Sequence, residues 1–177
     1  MRNLVYSVAM SLDGFIAGPN GEADWIVMDP DIDFGSMFAR FDTIVMGRKT
    51  YEVTRTAQGG GMPGIRSYVF SRTLDPADCP GVTVATNAVM TVNQLRSGSG
   101  KDIWLFGGGQ LFGSLSPAGL VDRVEVAVIP VMLGAGVPMW SSAGSSIPLR
   151  LMEHKVLATT GTVVLTYQVE KPPGPGA

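Results

Sequence analysis

Ile103 to Leu115 reads IWLFGGGQLFGSL: four apolar residues, three glycines, then a run in which leucine and phenylalanine recur. A short apolar run bounded by glycine reads as a strand covered on both faces. The glycines turn the chain, and Gln110 to Leu115 continue as a helix that Pro117 and Gly119 end. The same order recurs upstream. Thr43 to Met46 (TIVM) is a fully apolar strand ending at Gly47, and Arg48 to Thr56 opens another helix, broken by a Gly59-Gly60-Gly61 loop. Short apolar strands alternating with short helices specify an α/β fold with a mostly parallel central sheet between two helical layers.

The flanking segments extend that reading. Leu4 to Met10 (LVYSVAM), Ser67 to Phe70, Val82 to Ala85 and Arg123 to Ile129 (RVEVAVI) have strand composition, and Val92 to Arg96 reads as a short helix. Ser11 to Asp24 is a glycine-punctuated loop with Pro19-Asn20-Gly21 as its turn. Asp29 and Pro30 suit the N-cap and first position of a helix whose Phe34, Met37, Phe38 and Phe41 share one face. Leu149 to Ala158 and Thr162 to Val169 flank a Thr159–Gly161 turn, which predicts an antiparallel hairpin closing the sheet. A single domain is expected over residues 1–171, with the Pro/Gly-rich 172–177 (PPGPGA) as a flexible tail.

Composition narrows the chemistry. Over 177 residues there are 13 basic and 15 acidic side chains, 16% in all, against roughly 25% in an average soluble protein, and apolar residues make 45%. A net charge of −2 offers no bulk attraction to nucleic acid or acidic membranes. One cysteine, Cys79, excludes an internal disulfide, and with the single His154 it leaves no multi-cysteine or multi-histidine metal site. No apolar run reaches the roughly 18 residues that cross a bilayer, and no hydrophobic leader opens the chain, so a cytoplasmic location is expected. Ser11 and Ser71 have no neighbouring base, and Cys79 has no activating partner. Carboxylates, hydroxyls, backbone groups or a borrowed cofactor remain.

In open α/β sheets ligands bind beyond the carboxyl ends of the strands. Three such ends carry Gly47-Arg48-Lys49-Thr50, Ser71-Arg72-Thr73 and Gly107-Gly108-Gly109-Gln110. Glycine admits close approach of a phosphate, helix starts offer free N–H groups, and Arg48, Lys49 and Arg72 add charge. Any one such turn also has a purely structural explanation. Three at one sheet edge point to a phosphate-bearing ligand such as NADPH. The turn GGGQLF is not the Gly-x-Gly-x-x-Gly dinucleotide fingerprint. A second signal is acidic. Between Asn3 and Ala39 stand Asp13, Glu22, Asp24, Asp29, Asp31 and Asp33, with no lysine or arginine. One of them facing a cleft beside Trp25 and Phe34 would have a raised pKa and serve as a proton source. Equally, Asp29, Asp31 and Asp33 suit a helix N-terminus whatever the function.

Met46-Gly47-Arg48-Lys49-Thr50-Tyr51-Glu52, Phe70-Ser71-Arg72 and Phe106-Gly107-Gly108-Gly109 together resemble the dihydrofolate reductase superfamily. The nearest branch is the one typified by the reductase domain of the bifunctional riboflavin-pathway deaminase–reductase. Ser7 to Ala17 (SVAMSLDGFIA), Gly119 to Asp122 and Pro130 to Gly136 (PVMLGAG) are similar to that branch too, so the likeness spans nearly all of residues 2–170. It implies a dihydrofolate reductase-like three-layer fold and an NADPH site. Ala9 and Ile16 would meet the nicotinamide half. Gly47, Arg48, Lys49 and Thr50 would hold phosphates, with Arg48 toward the 2′-phosphate beside Ser71 and Arg72. Gly107, Gly108, Gly109, Gln110 and Leu111 would wrap the pyrophosphate, with Gly107-Gly108 cis. Spacing back from Gly47, Asp31 matches the family's acid, with Asp33 as the alternative, and Trp25 and Phe34 match its pocket residues.

Two departures are visible. No basic residue precedes Arg40 in the first helix to grip a folate carboxylate, and the deaminase motifs His-x-Glu and Pro-Cys-x-x-Cys are absent. The resemblance therefore implies a stand-alone NADPH-dependent reductase, 5-amino-6-(5-phosphoribosylamino)uracil reductase-like, reducing a small heterocycle or an opened ribose with Asp31 as acid. Its partners would be a small-molecule substrate and a second copy in a homodimer, with no nucleic acid, membrane or metal. Dihydrofolate reductase proper and a non-catalytic NADP(H)-binding module are the alternatives.

Overall fold

The computed structural model describes residues 1–58, 62, 64–141 and 146–170. The expected Gly59-Gly60-Gly61 loop and the 172–177 tail lie outside the described residues. Ten strands are described: β1 Leu4–Ser11, β2 Phe15–Ala17, β3 Phe41–Gly47, β4 Arg66–Phe70, β5 Thr83–Ala85, β6 Asp102–Gly107, β7 Arg123–Ile129, β8 Val137–Pro138, β9 Leu149–Leu157 and β10 Thr162–Val169. Four helices join them: α1 Phe34–Ala39, α2 Arg48–Gln58, α3 Ala88–Ser97 and α4 Gly109–Leu115. Eight strands form one sheet in the order β5-β4-β3-β6-β1-β7-β10-β9. From β5 through β7 neighbours run parallel, and β10 and β9 add the antiparallel edge read from the sequence.

Strand alternation divides the sheet into two cores. Leu4, Tyr6, Val45, Ile103, Leu105 and Val126 face one side, with Val92 of α3 and Leu111, Phe112 and Leu115 of α4. Val5, Ile44, Met46, Val69 and Trp104 face the other, with Tyr51 of α2 and Met37 and Phe38 of α1. That is why Ile44–Met46 and Ile103–Phe106 are apolar without a break: each consecutive side chain enters the opposite core, while the buried Thr43 hydroxyl accepts from Arg2 at 2.8 Å. Val45 and Leu105 are wholly buried, and full burial of such a side chain stabilises by roughly 1.5–3 kcal/mol. Buried charge locks the amino ends of the strands. Arg96 of α3 donates to Asp122 at 2.8 Å and to the Arg2 carbonyl at 3.2 Å, and the other Asp122 oxygen accepts the Leu4 N–H at 2.9 Å.

Three local readings are corrected. The first helix starts at Phe34 with Asp33 as its N-cap, not at Asp29-Pro30. The Asp29 carboxylate is taken elsewhere: it accepts the Asp31 N–H at 2.9 Å and, across the fold, the Thr160 N–H at 3.0 Å and hydroxyl at 2.7 Å. The 11–24 loop contains β2, which pairs antiparallel with β8 in a separate ribbon. Strands of three and two residues are too short to show periodicity; Gly136, whose Cβ would run into the Ala17 carbonyl, lets the ribbon close. The third helix begins at Ala88, a turn earlier than its apolar residues indicate, because Asn87 caps it by accepting the Met90 N–H at 3.0 Å.

Candidate cofactor and substrate cleft

Because β6 inserts between β3 and β1, the carboxyl ends of β3 and β6 lie side by side, with Met46 opposite Gly107. The chain leaves β3 through Gly47 into α2 and leaves β6 through Gly107 and Gly108 into α4. A Cβ on Gly107 or Gly108 would stand 3.2 or 3.6 Å from the Thr50 hydroxyl, so the two turns fit against each other through Thr50. The Gly107-Gly108 peptide is cis, as the resemblance implies. Gly109 is buried, and its missing side chain admits the Pro138 and Met139 carbonyls.

These turns open on a cleft of about 1870 Å³. Ala9, Ile16, Gly47, Arg48, Lys49, Thr50, Ser71, Arg72, Gly107, Gly108, Gln110 and Leu111 all line it. Gly109, also expected at the cofactor, is not among the lining residues. Gly47 has nothing within 4 Å of its would-be Cβ, which leaves bare backbone facing the cavity at the start of α2. Arg48 is held by Glu52 one helical turn on at 3.0 Å. The Ser71 hydroxyl accepts the Thr73 and Leu74 N–H groups, each at 3.1 Å, and lies 3.4 Å from the Thr73 hydroxyl, and so shapes its own turn. Glycine backbone, hydroxyls and three cations at one end of a cleft form a receptor for phosphates.

The loop after β1 is clamped over the same cleft. Asp13 accepts the Ser11 hydroxyl at 2.7 Å, the Leu133 N–H at 3.1 Å and the Gly134 N–H at 2.7 Å. The Ser11 oxygen in turn accepts the Phe15 N–H at 3.0 Å, and the Met139 N–H donates to the Gly14 carbonyl at 2.9 Å. Ile16, which lines the cleft, is carried on this anchored segment.

The other end departs from the sequence reading. Phe34 lines the cleft, whereas Trp25 and Asp31 are not among its lining residues. The Trp25 indole donates to the Glu22 carbonyl at 3.1 Å, Asp31 is exposed, and Asp33 is spent capping α1 through the Ser36 N–H and hydroxyl. Nor are Asp13, Glu22, Asp29 and Asp33 raised proton sources. The Ser11 hydroxyl and Gly134 N–H lower Asp13, and the Asn20 amide lowers Glu22. The Ser36 hydroxyl and N–H lower Asp33. Burial pushes Asp29 up, but the Asp31 and Thr160 donors outweigh it and leave Asp29 lowered. Asp13, Glu22, Asp29 and Asp33 are satisfied by N–H and O–H donors, which favour the charged form. In their place the cleft is lined by Arg40, Glu125, Glu153 and Lys155, with Met37, Phe38 and Trp104. Glu125 had a visible sign, a lone acid in the apolar strand RVEVAVI; its partner did not. Among the described residues no cluster of three or more His, Cys, Asp or Glu is placed to hold a metal, and no helix is long and apolar enough to cross a membrane.

A mostly parallel eight-stranded sheet with this antiparallel edge defines a dihydrofolate reductase-like fold. Dihydrofolate reductase from Enterococcus faecalis, solved with NADP(H) and RAB-propyl, shares the fold at a TM-score of 0.71 and 18% identity, covering 96% of this chain and 97% of that one. Within that class the sequence pattern of the RibD C-terminal domain matches residues 2–165, and the chain belongs to the RibD C-terminal domain family. A putative riboflavin biosynthesis protein from Shewanella sp. PV-4 is similar at a TM-score of 0.81 and 25% identity, over 97% of this chain and all of that one. The Bacillus subtilis (strain 168) protein YyaP is 34% identical over 178 residues, 94% of each chain.

Proposed function

We propose that the protein is an NADPH-dependent reductase acting on a small heterocyclic or ribosylaminopyrimidine substrate, as in the riboflavin-pathway reductase domains its family is named for. The observation that carries the reading is the convergence of Gly47–Thr50, Ser71-Arg72, Gly107, Gly108, Gln110 and Leu111 on one cleft with Ala9 and Ile16. The residues present fit the cofactor: Gly47 leaves bare backbone at the start of α2, and Arg48, Lys49 and Arg72 line the same cleft with charge suited to phosphates. Arg48 and Arg72, beside the Ser71 hydroxyl, would take the 2′-phosphate. Thr50 and the glycine turn would hold the pyrophosphate, and Ala9 and Ile16 would flank the nicotinamide. When bound, the cofactor supplies a hydride; the protein supplies position, exclusion of water and charge.

The resemblance assigns the acid to Asp31, with Asp33 as its alternative; Asp31 is exposed and is not among the residues that line the cleft, so its part in turnover is put to a direct test. Asp31→Asn tests the assignment: turnover falls while NADPH binding stays as in the wild type. The second-copy partner has a candidate surface in β9, an edge strand exposing Leu149, Leu151, Met152 and Val156. Pairing would cover that edge, and a dimer mass in sedimentation that Val156→Lys reduces to a monomer is the expected result. The decisive experiment for the whole reading is NADPH titration of the purified chain followed by oxidation assays with pterins and ribosylaminopyrimidines. No binding and no oxidation with any of them would sink it.

A further inference from the structure

Arg40 and Glu125 form a two-bond fork in the half of the cleft away from the phosphate cradle. Arg40 follows α1, and its two terminal nitrogens donate to the two Glu125 oxygens at 2.9 and 2.7 Å. Its Nε points at the Met37 carbonyl at 3.5 Å, and the guanidinium carbon lies 4.9 Å from the centre of the Phe41 ring. The arginine is therefore oriented on several sides and not free to swing. Glu125 sits on β7 opposite Ser7 of β1, two residues along from the Ala9–Ala127 pair. Ala9 and Ala127 are small, so a ligand resting on them has the fork beside it.

A fork of this kind between outer surfaces would be only a staple. Here both partners line the cleft, and the Arg40 side chain keeps 42% of its surface exposed while Glu125 keeps 11%. Each Glu125 oxygen spends one lone pair on Arg40 and retains another; Arg40 has N–H groups beyond those pointed at Glu125 and Met37. Acceptor and donor stand side by side, and the two charges cancel.

We propose that the Arg40–Glu125 fork reads the lactam edge, an O=C–N–H unit, of a pyrimidine-type substrate. Arg40 donates to the carbonyl oxygen and Glu125 accepts from the ring N–H. A neutral lactam has the complementary pattern. A protonated diaminopyrimidine offers only donors and a positive charge, and it meets the Arg40 guanidinium instead of a bare carboxylate. The fork is thus a specificity-determining pair that favours oxo-pyrimidines over amidinium-type rings. The inference rests on the reductase reading above, because the cofactor half fixes which end of the cleft receives substrate.

The test is calorimetric titration of the full chain, with and without saturating NADPH, using a diaminouracil and the same compound methylated on both ring nitrogens. Methylation removes the N–H donors and keeps the carbonyls. The unmethylated compound is expected to bind at least about ten-fold more tightly, the scale of a hydrogen bond to a charged group. Glu125→Gln should lose most of that preference, and Arg40→Lys, which keeps the charge and loses the fork, should lose part of it. NADPH affinity should stay within about two-fold of wild type in both, as it does for groups outside the cofactor half. Equal binding of the two uracils by the wild type, binding of neither, or an undiminished preference in Glu125→Gln overturns the proposal. Should a variant not fold, the wild-type comparison decides alone. Failure of NADPH to bind strikes the reductase reading, while the uracil titrations without cofactor still report on the fork.

Discussion

Alanine at position 109 should destabilise a helix that, by intrinsic preference alone, it would strengthen. Gly109 is the first residue of α4, where alanine is favoured over glycine by up to about 1 kcal/mol. The packing opposes this. A Cβ at Gly109 would press into the Pro138 carbonyl oxygen and stand 2.9 Å from the Met139 carbonyl oxygen and 3.1 Å from its carbon. All three are backbone atoms of the ribbon that carries β8, so no side chain can turn aside. Relief requires the helix and ribbon to separate, and overpacking of this kind costs about 1–3 kcal/mol. At roughly 2–4 °C per kcal/mol for a domain of this size, the melting temperature should fall by roughly 2–12 °C. Gly47→Ala is the matched control. Nothing lies within 4 Å of its Cβ and its φ is not positive, so the melting temperature should hold or rise slightly. That Cβ would nevertheless occupy the phosphate cradle, and NADPH affinity should fall at least about ten-fold, or 1.4 kcal/mol. Thermal melts with and without NADPH measure both arms. A Gly109→Ala protein that melts at or above wild type refutes the close-approach argument, and a Gly47→Ala protein that binds NADPH normally refutes the cradle.

Three further outcomes are expected. Asp122→Asn leaves Arg96 charged in a nearly closed site, the pair being 10% and 7% exposed, and should cost about 3–5 kcal/mol in urea unfolding. Arg48→Ala should weaken NADPH about ten-fold and leave NADH nearly unchanged, since only the former brings the extra phosphate; equal losses for both would remove Arg48 from that role. Asp13 has its carboxyl held below the ordinary 3.8 by the Ser11 hydroxyl and the Gly134 N–H. A lowered carboxyl stabilises above its unfolded-state value and loses that contribution as pH falls through the folded one. The clamp on the 11–16 loop should therefore be intact at neutral pH and weaken in acid below about pH 4. The protection of the Gly134 amide, the slowing of its exchange relative to the intrinsic rate at the same pH, should fall there, and Asp13→Asn should show the lowered protection already at neutral pH.

The two halves of the cleft were not equally legible, and the reason is the range over which each is built. The cofactor half uses contiguous turns: Gly47-Arg48-Lys49-Thr50 and Gly107-Gly108-Gly109-Gln110 each carry their strand, turn and helix start within a few residues, so local grammar exposes both the fold and the cradle. The substrate half is assembled from pairs. Glu125 stands out in RVEVAVI, yet its partner Arg40 lies 85 residues earlier and becomes a neighbour only because β7 joins the sheet beside β1. The acids of the 13–33 segment are visibly without local cations. Glu22 and Asp33 find donors two or three residues away, but those that complete Asp13 and Asp29 lie 120 residues away at Leu133 and 131 away at Thr160. Without those donors in view, an unpaired carboxylate reads as a poised acid; with them it becomes a fixed anion that ties loops down. Trp25 and Asp31 illustrate the same limit, since spacing from Gly47 sets their place along the chain and says nothing about which way the 20–33 loop turns them. On the proposed reading the cofactor half is therefore written in motifs, and the substrate half in long-range pairings. Substitutions that redirect specificity should cluster at Arg40 and Glu125 and at Glu153 and Lys155, which line the same cleft from β9, and leave the glycine turns untouched.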